Sequence, residues 1–210
     1  MESPTQLATQ IRFHLETLGE SNAHHPFEHL CLGLTRRRIA SNVMPATGPV
    51  AAGGDDGRDG ESYWSIIASE LPDSSLSTAL VTDEDVVIAV TTQRDDIPSK
   101  VRADLAKICT DSAPVDRVIY FTVAPVNVSK RHELQKLARD TYSVALDIWD
   151  AQAIADELAS HDLFYLAVDY LHLPSSLAPE RPQTEATLPD WYLQDRAHWR
   201  GPEQARRHGR

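Results

Sequence analysis

The chain has no apolar run approaching the ~20 residues that a membrane-spanning helix needs. It opens Met1-Glu2-Ser3-Pro4-Thr5-Gln6, without a basic and then apolar stretch, so no secretory signal is expected. Cysteine is scarce: Cys31 and Cys109 stand alone in segments of helical periodicity, without metal-ligand spacing. That excludes a disulfide framework and fits two reduced core thiols of a cytoplasmic protein. Gly-x-x-x-x-Gly-Lys-Ser/Thr does not occur, which excludes a triphosphate-binding loop of that kind. Gly-x-Ser-x-Gly is missing too, and with it a hydrolase nucleophile elbow. Positive charge is in deficit: 20 Lys and Arg against 31 Asp and Glu give a formal charge of −11. Such a balance argues against a whole surface that grips nucleic acid, but leaves room for a local basic groove. Arg36, Arg37, Arg38, Arg94, Lys100, Arg102, Lys107, Lys130, Arg131 and Lys136 could supply one, although solvated helix faces account for such residues equally simply.

At 210 residues the chain can enclose one sizeable core. Leu7, Ile11, Leu15 and Leu18 have the three-to-four spacing of an amphipathic helix, over residues 5–18. A second helix is predicted over 27–39, with Pro26 in its first turn and Phe27, Leu30, Cys31 and Leu34 on one face. The Gly-, Pro- and Ala-rich stretch 42–60 reads as a loop. Strands are predicted at 61–67, 85–92, 117–123 and 144–149, the second unbroken in its apolar character and so buried on both faces. Helices are predicted at 97–110, 129–142 with Ser129 as cap, 151–158 capped by Asp150, and 162–171. The later strands alternate with helices and should be parallel neighbours, with the first strand antiparallel to the second: an α/β sandwich on a mixed sheet. The organisation is an N-terminal helix in 1–21, an α/β domain over 22–173, and a linker with an aromatic and basic segment over 174–210. Trp191, Tyr192 and Trp199 have no visible core of their own, as expected if further domains of a longer chain follow.

The chemistry-bearing stretch is Gly53-Gly54-Asp55-Asp56-Gly57-Arg58-Asp59-Gly60-Glu61, next to the strand that ends Thr91-Thr92-Gln93. Glycines permit tight turns and close approach of a phosphate backbone. Mg²⁺ or Mn²⁺ needs one or two carboxylates plus substrate phosphate, and would polarise the phosphate and activate a water. Asp59 stands where the loop becomes a strand, which makes it the leading metal ligand. Glu61, two residues on, is a second candidate on the same face. Gln93 offers an amide oxygen at the end of the neighbouring strand. The same Gly and Asp residues also suit an ordinary solvated turn. His24, His25 and His29 lack the further Cys or His of a zinc site and read as capping or surface residues.

An N-terminal helix bearing Glu28, then Gly-Gly-x-x-Gly-x-Asp, a strand, a second strand with a polar end and a helix resembles the restriction-endonuclease-like superfamily of the PD-(D/E)xK motif, Mrr-like branch. The resemblance covers residues 22–150. It implies a three-layer α/β/α core with a mixed central sheet. It also implies a Mg²⁺- or Mn²⁺-dependent endonuclease acting on double-stranded DNA, as the effector of a larger prokaryotic defence protein that could be a homo-oligomer. Asp59 would be the metal-binding acid, Glu28 the accessory acid, and Gln93 the second metal-facing group. The usual Glu-x-Lys is missing, since Arg94-Asp95 follow Gln93; Lys100, at the start of the next helix, stands in for the lysine. A register with Thr91 at the acid's position implies a poor or dead nuclease that only binds. The strand–helix alternation after residue 85 also suits a doubly wound small-molecule or protein-interaction domain, without a phosphate-binding fingerprint to support it.

Overall fold

The structure is a computed structural model that describes residues 3–18, 23–46, 57–63, 80–110 and 113–180. Gly53 to Asp56, the expected strand residues Trp64 to Ile67 and the aromatic and basic C-terminal segment lie outside the described residues. The chain divides into two compact units, Met1–Pro179 and Glu180–Arg210, and the first carries the architecture below.

Five strands form one mixed sheet in the order β1-β2-β3-β4-β5. These are Val43–Pro45, Gly60–Ser62, Val86–Thr91, Arg117–Thr122 and Ala145–Trp149. β1, β2 and β3 run antiparallel to their neighbours, whereas β3, β4 and β5 are parallel. The helices are α1 Pro4–Leu18, α2 His24–Arg38, α3 Ile97–Thr110, α4 Val128–Leu137, α5 Ala151–Leu158 and α6 Phe164–Leu171. A wider π-type turn, Ala138–Tyr142, extends α4.

The result is a mixed α/β fold with three layers, because the parallel strands are apolar on both faces. Val86, Ile88 and Val90 face a core built with α1, α2, α5 and α6, while Val87 and Ala89 face one built with α3 and α4. Alternation with period two separates the two sets. Ile119 and Phe121 of β4 continue the first core, and Val118 and Tyr120 the second. Leu7, Ile11 and Leu15 bring α1 into the first core, packed on α5 and α6.

Several local expectations change. Residues 43–45 form strand β1 although their segment reads as loop; three residues inside a Pro- and Gly-rich stretch are too few to show a period. α4 starts one residue early, because Asn127 rather than Ser129 is its cap, with the side chain accepting from Lys130 N at 2.9 Å. Asp150 does cap α5, accepting from Ala153 N at 3.1 Å. α2 begins at His24, three residues before the expected start, and this shift matters for the site.

Candidate metal centre

Gly60 fixes where α2 meets the sheet. A Cβ added there would lie 2.7 Å from Leu32 Cδ2 and 3.1 Å from Ile88 Cδ1, so a side chain at this position would force Leu32 to shift, and glycine lets α2 sit close to β2 as it does. Glu28 lies one helical turn before Leu32 on the same side of α2, and Asp59 immediately precedes Gly60. Close contact at Leu32–Gly60 therefore places the carboxylates of Glu28 and Asp59 together.

The chain holds Asp59 firmly. Its N–H donates to Ile88 O at 2.9 Å, its carbonyl accepts from Ala46 N at 3.1 Å, and its Oδ2 accepts from Val90 N at 2.6 Å. It thus ties β1, β2 and β3 at one point, with only 7% of its surface exposed. Glu28 is 8% exposed and takes two imidazoles, His24 Nδ1 at 2.6 Å on Oε1 and His25 Nδ1 at 2.9 Å on Oε2. Burial pushes the Glu28 carboxyl up, but hydrogen bonding to His25, the His24 charge and hydrogen bonding to Asp59 outweigh it and leave it below the ordinary value. The Glu28 and Asp59 carboxylates offer oxygens within 4.8 Å of each other, and like charges that close repel unless hydrogen-bond donors, protons or a cation compensate them. Cys31 lies near both acids: burial raises its thiol well above the usual value, and the Asp59 and Glu28 charges raise it further.

His24, Glu28 and Asp59 each offer a ligand atom, all within 4.8 Å of one another. Donors that share one ion at about 2.1 Å sit roughly 3–4 Å apart, so small rotamer changes suffice for the three to meet a cation. The donor set, one imidazole nitrogen and two carboxylates, can hold a divalent metal.

The other expected residues are engaged elsewhere. Glu61 accepts from Arg58 Nη1 at 2.9 Å and does not join the cluster. Asp59 precedes the strand, which begins at Gly60, so the strand alternation that would put Glu61 beside it does not extend that far. Gln93 lies two residues beyond the end of β3, exposed, with its amide donating to Asp95 O. Lys100 Nζ donates to Asp104 Oδ1 at 2.7 Å. Asp104 Oδ2 in turn accepts from Tyr120 Oη at 2.7 Å. Burial first, then the Asp104 hydrogen bond and charge and the Asp59 charge, keep the Tyr120 phenol protonated. Lys100, Asp104 and Tyr120 therefore form a polar chain that ends within the field of Asp59.

His24 is the residue that sequence reasoning misses. Placing the helix start at Pro26 and Phe27 leaves His24 outside it. Once His24 is helical, its four-residue spacing to Glu28 puts both side chains on one face. The signal was a histidine four residues before an acid, hidden by the proline between them. No protein-family model, curated protein or solved structure matches this chain.

Proposed function

We propose that the chain is a metal-dependent endonuclease domain that hydrolyses phosphodiester bonds of double-stranded DNA with Mn²⁺ or Mg²⁺. The observation that carries this reading is the buried Glu28–Asp59 carboxylate pair completed by His24. Structural acids rarely stay buried side by side unless hydrogen-bond donors, protons or a cation compensate them. A divalent ion held there supplies polarisation of the scissile phosphate and an acidified water. The chain's own residues do the rest. The Val90 N–H fixes the orientation of Asp59, and His25 holds the second oxygen of Glu28. Lys100 provides positive charge on the α3 side, orienting phosphate once it leaves Asp104.

The Lys100–Asp104 ion pair and the outward-turned Gln93 favour a second reading, a nuclease-fold module that binds DNA without cutting it. Incubation of supercoiled plasmid with wild type and Mn²⁺ or Mg²⁺ separates the two. Nicking lowered at least about 100-fold by Asp59→Ala and by Glu28→Gln, in line with loss of a metal or transition-state contact, is the expected result. Intact plasmid with either metal, together with a gel shift that Asp59→Ala leaves unchanged, selects the binding module and ends the enzyme reading.

A further inference from the structure

Among the described residues, several candidate cations are neutralised by neighbouring acids. Arg38 binds Glu157 and Asp162, Lys100 binds Asp104, Lys130 binds Glu133, and Arg131 binds Asp150. Arg36 and Arg37 differ. Arg36 donates from Nε to Val43 O at 3.0 Å, a bond to a neutral carbonyl, and has no acidic partner among the described residues. Arg37 is exposed and has no acidic partner among the described residues. Both line a cleft of about 320 Å³ between α2 and α6, together with His29, Tyr165 and Tyr170. That volume falls at the lower end of the roughly 300–1,000 Å³ of small-ligand sites.

Close helix packing makes the cleft. A Cβ on Gly33 would lie 2.7 Å from Leu166 Cδ2, so the absent side chain lets α6 press against α2. The aromatic residues of α6 then stand beside the arginines of α2. The rings of His29 and Tyr170 lie within 9° of parallel, their centroids 6.2 Å apart. Tyr165 leaves 42% of its surface to solvent. Guanidinium groups next to flat aromatic faces are the chemistry that holds a phosphate and stacks a base.

We infer that this cleft binds one nucleotide unit, with its phosphate on Arg36 and Arg37 and its base against Tyr165. The unit belongs to a nucleic-acid strand passing along α2 and is unpaired at the cleft, as at the frayed or single-stranded end of a duplex. This deepens the nuclease reading and rests on it only for the polymer as source of the nucleotide. Arg36 and Arg37 lie two helical turns beyond Glu28, about 12 Å at ~1.5 Å per residue. A strand with one phosphate at the metal centre would span that distance, and place another nucleotide in the cleft, within a few nucleotides.

Fluorescence anisotropy of a short labelled single strand, with adenosine monophosphate as competitor, tests the site on the full chain. Wild type should bind the strand. Arg37→Glu should weaken binding about tenfold and lower the slope of log affinity against log salt by about 0.7, the value for one phosphate of a single strand. Tyr165→Ala should weaken it about fivefold or more with the slope unchanged, as loss of a stacked base does. Both side chains are exposed, so neither change threatens the fold. Monophosphate that competes at the strand's own affinity assigns the cleft to free nucleotides, and failure to compete assigns it to the strand. The inference is overturned if wild type binds neither ligand, or if both variants bind like wild type. A protein that binds through Arg37 and Tyr165 but leaves plasmid uncut keeps this inference and loses the enzyme reading. A nuclease indifferent to both changes does the reverse.

Discussion

The two halves of the sheet are held together by different forces. In the parallel half, β3 to β5, strand residues are apolar on both faces and packed between helices, with Ile88, Ile119, Tyr120 and Phe121 fully buried. In the antiparallel half, β1 and β2 are three residues each and their cohesion comes from polar ties. Asn42 donates to Tyr63 O and Thr82 O and accepts from Thr82 N. Arg58, buried, donates from Nη2 to Ala113 O at 2.8 Å and Ile108 O at 3.4 Å. Asp59 accepts from Val90 N. Apolar packing is non-directional and tolerates adjustment, whereas a buried polar tie must be satisfied atom by atom. The candidate site lies at the seam between these halves, where rigid strands carry side chains that demand specific partners.

The largest contrast should appear in stability. Ile119→Ala, at the centre of the parallel half, should cost about 3–4 kcal/mol in urea unfolding, through lost burial and the cavity left behind. Arg58→Met keeps much of the side chain's volume but removes the guanidinium. It should cost about 2 kcal/mol, because charge-assisted bonds to the Ala113 and Ile108 carbonyls disappear and the latter is buried. If Arg58→Met unfolds at the wild-type urea concentration, the antiparallel half does not depend on its polar ties and the contrast collapses.

A metal should act on the antiparallel side of the seam. Saturation at about 100 times the dissociation constant adds about 2.7 kcal/mol to a protein that binds only when folded. We expect Mn²⁺ to raise the melting temperature of wild type accordingly and to leave Asp59→Asn unmoved. Without metal, the variant should be as stable as wild type or more so, since the neutral amide removes the repulsion between two neighbouring carboxylates. A variant melting profile that rises with Mn²⁺ as wild type does would place the ion elsewhere.

The same division explains what was legible in the sequence. Val86 to Thr91 and Arg117 to Thr122 announce themselves through unbroken apolar character, and the helix between them through Val101, Leu105 and Ile108. β1 is invisible, because Val43-Met44-Pro45 has neither length nor alternation and pairs only through its register with Gly60 to Ser62. Of the two acids that the structure brings together, Asp59 stands out in the sequence at the loop-to-strand junction and Glu28 only through the layout resemblance, and Gly60 is the physical reason they meet. Local pattern cannot reveal such a contact, since it joins a helix to a strand that begins 22 residues later. Gln93 and Glu61 are candidates by position along strands, and Lys100 only as the resemblance's displaced lysine. Their actual partners, Asp95, Arg58 and Asp104, are near neighbours in sequence that win through short range.

The smallest effect should come from the exposed counterpart of these buried ties. Arg38, at the end of α2, reaches the turn between α5 and α6, donating from Nη1 and Nη2 to the two oxygens of Asp162 at 2.7 and 2.9 Å and from Nε to Glu157 at 2.7 Å. The Arg38 hydrogen bonds hold the Asp162 carboxyl well below its usual range despite some burial. Such a depressed group adds stability above its unfolded value, near pH 4, and loses it as pH falls toward the folded value. The Asp162 side chain is 56% exposed, so solvent screening limits the contribution to about 1 kcal/mol or less. Asp162→Asn should therefore be slightly less stable than wild type at pH 7, and the gap should be smaller at pH 3, below the unfolded value, and keep narrowing toward the folded one. Urea midpoints measured at both values decide the matter. A gap that stays constant would mean that Arg38 positions α2 through Glu157 and Ser160 alone. A gap larger than that for Arg58→Met would mean that burial does not set the strength of these ties, and the contrast between the two halves would need a different cause.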